Sequence, residues 1–204
     1  MVNQQIPKFQ EKFWKDWNNR NVVNPSSREN AFRIMMGNLP VKSILEVGCN
    51  KGYNLEAISK IRNYELTGID ILPEAIKESS CSSSISLVVG DCLNIPFQDN
   101  SFDLVFTGGV LMTFEYGEKL FKAISELIRV SKRYILAIEY MATQENNPYW
   151  MVEVLLRFKG VPVYWARNYS GMFPKCRCIG EGLLSKDLGF DDISYWWLFE
   201  KETM

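Results

Sequence analysis

The sequence predicts a doubly wound α/β domain, a mostly parallel sheet with helices on both faces. Three observations carry this expectation. From Ser43 onward, short apolar runs alternate with helix-like segments, as successive βαβ units do. Those runs are almost continuously apolar, which suits strands covered on both faces. The first of them, Ile44-Leu-Glu-Val47, stops at the turn Gly48-Cys-Asn-Lys-Gly52, from which a helical pattern begins. Glycine suits a turn that bends sharply beside a ligand, and the first free N–H groups of the helix face polar ligand atoms.

Taken in order, residues 8–21 place Phe9, Phe13, Trp14 and Trp17 on one face of a helix. That face either docks on the core or closes as a lid over a bound ligand. Ser26-Ser-Arg-Glu29 has capping-box spacing, and its helix should run to about Met36 before Gly37-Asn38 and Pro40 stop it. Strand 43–47, helix 53–62, strand 65–69, helix 73–79 opened by Pro73, and strand 85–89 follow, with Cys81-Ser-Ser-Ser84 as a surface loop. Phe102–Thr107 is the fourth strand, 118–130 a helix and Tyr134–Ile138 the fifth strand. Crossovers of this kind make the sheet parallel.

Residues 141–180 break the rhythm. Tyr149–Phe158 reads as an amphipathic helix ended by Gly160-Val-Pro162, and the segment holds Trp150, Tyr164, Trp165, Tyr169 and Phe173. So many rings suit an insertion that packs on itself, a homodimer contact, or stacking surfaces for an acceptor. A last helix near 181–188 and a strand at 193–199 close the chain. One domain over 1–204 is expected, with a helical cap (1–40), a ligand-binding core (41–140) and an acceptor-side insertion with a closing strand (141–204).

Composition narrows the chemistry. With no histidine in the chain, a Ser-His-Asp triad, a Cys-His dyad and imidazole-based metal sites are excluded. Cys176-Arg-Cys178 lacks partners for a metal centre, so no metal is expected and these cysteines read as reduced thiols in a loop. A formal charge of -1 without a basic cluster argues against a nucleic acid partner. Five cysteines without framework spacing, no leader segment, and no apolar run of about 18 residues point to a cytoplasmic setting away from membranes.

Ligands of open α/β sheets sit at the carboxyl edge of the strands. Glu46, Asp70 and Asp91 stand at the ends of three successive strands, and Asp70 lies about 20 residues beyond the glycine turn, where an acid meets a ribose diol. Asp91 is suited to accept from an adenine amino group while the Cys92 N–H donates to the ring. Each aspartate taken alone is equally a turn residue; the three together point to a nucleoside.

Glu46-Val-Gly-Cys-Asn-Lys-Gly52, Asp70, Gly90-Asp91 and Phe102-Asp-Leu-Val-Phe106 resemble, in order and spacing, the class I S-adenosylmethionine-dependent methyltransferases over residues 40–140. Within that class, Leu45-Glu-Val-Gly-Cys-Asn50, Phe106-Thr-Gly-Gly-Val-Leu111 and Ser131–Tyr140 look like methylases associated with pseudaminic acid biosynthesis, as do Phe13-Trp14 and Arg20-Asn21. The resemblance implies S-adenosylmethionine as methyl donor, S-adenosylhomocysteine as product, and a small-molecule acceptor such as a sugar or nonulosonic acid precursor. It further implies that Glu46 holds the methionine amino end, Gly48, Asn50 and Gly52 admit the cofactor, and Asp70 binds ribose. Ile71 would pack on adenine, Asp91 and Cys92 would read its edge, Thr107, Gly108 and Gly109 would line the methyl-donor side, and Trp14 would close over the cofactor. Asn50 replaces a family glycine but tolerates left-handed backbone. Met112-Thr113 stands where the narrower family has a histidine, so that histidine's role does not transfer.

An acceptor that loses a proton needs a base, and Glu139, Tyr140 or Glu115 at the ends of strands five and four are the candidates. Two other functions fit parts of the pattern. A nicotinamide-dependent oxidoreductase should show G-x-G-x-x-G, which Gly48–Gly52 does not complete. A non-catalytic cofactor-binding or assembly protein would keep the same acids.

Overall fold

A computed structural model describes residues 25–142, 154–158 and 161–202. Their elements are α1 (Pro25–Met36), β1 (Ser43–Val47), α2 (Tyr53–Ser59), β2 (Glu65–Asp70), α3 (Pro73–Lys77), β3 (Ile85–Val89), β4 (Phe102–Gly108), α4 (Glu118–Val130), β5 (Ser131–Tyr140), β6 (Val154–Phe158), β7 (Val161–Ala166), β8 (Cys176–Leu183) and β9 (Ser194–Lys201). Single 3₁₀ turns lie at Leu111–Thr113 and Lys186–Leu188. The aromatic segment 8–21, Trp14 included, lies outside the described residues.

Seven strands form one sheet in the order β3-β2-β1-β4-β5-β9-β8. β1 to β5 pair in parallel, and β9 runs antiparallel to both β5 and β8. The strand order reverses between β1 and β4, which opens a crevice at their carboxyl ends. Because side chains alternate along a strand, each strand feeds two cores. Ile44, Leu104, Leu136 and Ile138 pack with Phe32 and Met35 of α1 and Leu55 and Ile58 of α2. Leu45, Val105, Ile135 and Ala137 pack with Leu120, Ile124 and Leu127 of α4. Each of those three α4 leucine or isoleucine side chains is buried and contributes roughly 1.5–3 kcal/mol.

The alternation also sorts the polar residues of the rim. Glu46, two residues beyond Ile44, and Tyr140, two beyond Ile138, belong to the α1/α2 face. Thr107 and Glu139 follow Val105 and Ala137 on the α4 face.

Four expectations change. Val154–Phe158 is a strand of a hairpin with Val161–Ala166, not a helix; two apolar runs separated only by Lys159-Gly160 carry that signal. Glu181–Leu183 ends β8, and only Lys186–Leu188 turns helically. Glycines at 180 and 182 suit that strand because the Trp196 indole of β9 lies across them, so that a Cβ on Gly182 would meet Trp196 Nε1 at 2.8 Å. Cys176 and Cys178 therefore sit in an edge strand, not a loop. Finally, α1 begins at Pro25, ahead of the Ser26 expected to cap it, since proline suits a first helical position.

Candidate functional site

The turn after β1 is held by its own backbone. Gly48 and Cys49 both donate to the Ile69 carbonyl, at 2.8 and 2.9 Å, and Gly52 donates to Cys49 at 2.8 Å. Gly48 has φ +78°, and a Cβ there would meet Val110 Cγ2 at 2.2 Å. The turns after β1 and β4 thus touch across the crevice. Asn50 adopts φ +49°, so it fills the left-handed position of the missing family glycine.

Asp70 ties two turns together. Its Oδ2 accepts from the Asn50 N–H at 2.7 Å and its Oδ1 from the Leu72 N–H at 2.9 Å. Burial pushes its carboxyl above the ordinary range against these bonds. The Ile71 N–H also bears on this carboxylate. Beside it Ile71 is 41% exposed, an apolar side chain open at the rim. Asp91 spends Oδ1 on the Leu93 N–H at 2.8 Å, an Asx turn, while Cys92 is half-buried with its thiol pushed up to about 12 by burial.

Behind the turn lies a polar chain that the sequence did not disclose. Glu46 is 1% exposed; its Oε1 accepts from Asn54 Nδ2 at 2.6 Å, and its Oε2 has no partner among the described residues. Burial raises its carboxyl to about 8, opposed by the Asn54 bond and Arg28. Asn54 Oδ1 accepts in turn from Arg28, whose Nε donates to the Gly189 carbonyl at 3.2 Å and whose guanidinium stacks on Phe190 at 4.4 Å. Glu46 and Asp191 both lie close enough to favour the Arg28 charge. Arg28 sits inside the expected capping box, far from the glycine turn in sequence, and Asn54 is the second residue of α2, so the only sequence signal was the place of Asn54 just after that turn.

The turn after β4 is clamped from two sides. Glu139, 1% exposed, accepts from Thr107 Oγ1 at 2.7 Å and from the N–H groups of Val110, Leu111 and Met112 at 3.2, 3.1 and 3.0 Å. Buried Arg167 donates to the carbonyls of Leu111 and Phe114, at 3.4 and 2.6 Å. Glu139 thus lies on the α4 face with its oxygens occupied by Thr107 and the N–H groups of the turn. Thr107 is likewise fully buried and serves Glu139. A Cβ would come within 3.2 Å of Asn54 Nδ2 at Gly108 and within 3.0 Å of Met112 Cε at Gly109.

Tyr140, on the opposite face from Glu139, donates its O–H to Asp191 Oδ2 at 2.6 Å and packs edge-on against Tyr164. Burial, then Asp191, raises its phenol above the ordinary range. Glu115 is exposed in the loop after the Leu111–Thr113 turn, away from these contacts. Among the described residues no group of three potential ligands is placed to hold a metal ion, and no helix is long and apolar enough to cross a membrane.

Residues 45–136 match the family model described as a methyltransferase domain. Over that stretch, and in its fold, the chain is similar to S-adenosylmethionine-dependent methyltransferases. It is 32% identical over 97 residues to norajmaline N-methyltransferase of Rauvolfia serpentina, a match covering 44% of this chain and 32% of that enzyme. The chain thus spans about a third of that curated relative's length. Among solved structures, it matches Haemonchus contortus phosphoethanolamine N-methyltransferase 1 in complex with phosphoethanolamine and S-adenosylhomocysteine, with TM-score 0.66 and 14% identity, over 97% of this chain and 49% of that one. It also matches a chain of the complex between the Haloferax volcanii Trm112 methyltransferase activator and a methyltransferase, with TM-score 0.65 and 14% identity, over 88% and 95%. The antiparallel β9 between β5 and β8 completes the methyltransferase fold of such structures.

Proposed function

We propose that this protein transfers a methyl group from S-adenosylmethionine to a small-molecule acceptor and releases S-adenosylhomocysteine. The observation that carries the proposal is Glu46: a buried carboxylate oxygen without a partner, beside a turn whose Gly48 leaves room for none but a backbone, at the reversal point of a methyltransferase fold. A buried acceptor atom of that kind is costly unless a donor arrives, and a methionine ammonium is such a donor. Arg28, linked through Asn54, offers cationic charge for the accompanying carboxylate.

Asp70 then takes the ribose hydroxyls, Ile71 covers the adenine, and Asp91 with the Cys92 N–H reads its edge. Gly108 and Gly109 leave space where the methyl-bearing sulfur would lie. The sulfonium supplies an electrophilic methyl group, and the chain's task is to align an acceptor lone pair with it. We assign Glu139 a positioning role, since it holds the turn that abuts Gly48. Glu115, exposed beyond the Leu111–Thr113 turn, stays a second candidate base.

The match to an N-methylating relative supports a small-molecule acceptor. The motifs shared with pseudaminic acid-associated methylases add sugars and nonulosonic acid precursors to the candidates. Calorimetry with S-adenosylmethionine and with NAD, followed by detection of S-adenosylhomocysteine on adding candidate acceptors, tests the proposal. Affinity for NAD alone would overturn it, and cofactor binding without turnover on any acceptor would leave a binding protein instead.

A further inference from the structure

We propose that Asp191, held by Tyr140, is the carboxylate that receives the methyl acceptor, and that this acceptor is an amine. The inference rests on the methyltransferase reading and adds to it a proton-accepting residue and a substrate class.

Position comes first. Tyr140 ends β5 and Ser194 pairs with it at the start of antiparallel β9, so Asp191, just before β9, stands on the same rim as the carboxyl ends of β1 and β4. Strand alternation puts Tyr140 on the face that carries Glu46, whereas Glu139 lies on the other. One continuous set of contacts runs along that face: Glu46 to Asn54, Asn54 to Arg28, Arg28 to the Gly189 carbonyl two residues before Asp191, and Asp191 to Tyr140. The cofactor end and the acceptor end of the site are therefore built on one framework.

Chemistry separates the two carboxylates at the end of this sheet. Glu139 is buried and accepts four hydrogen bonds. Asp191 is exposed, and the one side-chain hydrogen bond to its carboxylate among the described residues comes from Tyr140 on Oδ2. Its remaining acceptor sites face solvent, where a proton can be taken and passed on. Charge favours a cation there: Asp187, Asp191 and Asp192 crowd this turn against the two cations Arg28 and Lys186, of which Lys186 is paired with Asp192. The Tyr140 ring beside the carboxylate adds an electron-rich wall that attracts ammonium groups.

The step balances without any further reagent. An acceptor ammonium gives one proton to Asp191. The freed nitrogen lone pair forms the N–CH₃ bond while the S–CH₃ bond breaks, and the electron pair of that bond stays on sulfur. The products are an N-methylammonium, S-adenosylhomocysteine and the proton on Asp191, which leaves to water.

The experiment uses the full chain and measures S-adenosylhomocysteine with amino alcohols and amino sugars, each paired with its diol or parent sugar. Turnover is expected with the amine members. Asp191→Asn should lower kcat by roughly 100-fold or more with the KM for S-adenosylmethionine unchanged, and Asp191→Glu should retain part of the rate. Tyr140→Phe, which only frees the carboxylate, should have a smaller effect on kcat and raise the acceptor KM. Calorimetric binding of S-adenosylhomocysteine shows that each variant is folded. Turnover of the hydroxyl members instead, a wild-type rate for both Asp191 variants, or no turnover of any amine by a chain that binds the cofactor overturns the inference. A chain that binds no cofactor at all overturns the methyltransferase reading, so the two failures are distinct.

Discussion

Glu46 Oε2 is a buried acceptor without a partner among the described residues, so the carboxyl holds its proton to about 8 where an ordinary glutamate releases it near 4.5. Between those values the unfolded chain has lost a proton that the folded chain keeps, and stability must fall as pH rises, by about 1.4 kcal/mol per unit at most. The stability is fully present below the ordinary value and gone above about 8. Thermal unfolding of the apo protein from pH 5 to 8 should show this decline, to which Glu139, raised to about 7 by burial, adds in the same direction, and Glu46→Gln should make it shallower while weakening S-adenosylmethionine binding. An unchanged slope in the variant would assign the decline to another group. At Gly48 the test is steric: Gly48→Ala puts a methyl 2.2 Å from Val110 Cγ2 at φ +78°. A loss of roughly 1–3 kcal/mol is expected in urea unfolding, part of it regained with Val110→Ala, whereas a neutral effect would mean the two turns separate freely. The acids at positions 46, 70 and 91 were legible in the sequence because strand ends can be counted. Arg28 was not, because it reaches Glu46 from α1, whose position only packing sets, whereas Asn54 stands two residues beyond Gly52 and could have been found there.

The Val110–Phe114 turn acts as one element between Glu139, which takes its N–H groups, and Arg167, which takes its carbonyls. Glu139→Gln turns an amide donor toward N–H donors and should cost roughly 1–3 kcal/mol. Because the turn abuts Gly48, S-adenosylhomocysteine affinity should fall with stability, and a double-mutant cycle with Arg167→Met should show coupling. Loss of turnover with stability and affinity both intact would restore Glu139 as a base. Proximity in sequence had made Glu139 and Tyr140 equivalent candidates; the period-2 alternation of a strand sends them to opposite faces. The C-terminal elements were misread for a related reason. Local pattern favours a helix at 181–188, yet cross-strand pairing with β9 and the Trp196 indole over Gly180 and Gly182 select a strand.

For the molecule as a whole, ligand binding at the β1–β4 crevice joins elements from both halves of the sheet, so cofactor should stabilise all of it together. At a hundred times its Kd, S-adenosylhomocysteine should add about 2.7 kcal/mol, which for a chain of this size raises Tm by roughly 5–10 °C. NAD should leave Tm unchanged; a shift with NAD and none with S-adenosylhomocysteine would refute the cofactor assignment.

By itself the sequence determined the parallel core, the glycine turn and the exclusion of histidine chemistry, because periodicity, glycine spacing and composition are local properties of the chain. Only the tertiary structure decided that β9 enters antiparallel beside β5, that Arg28 reaches Glu46 through Asn54, and that Tyr140 meets Asp191. Those outcomes follow from which side of each strand is buried against which helix, and no window along the chain contains that information.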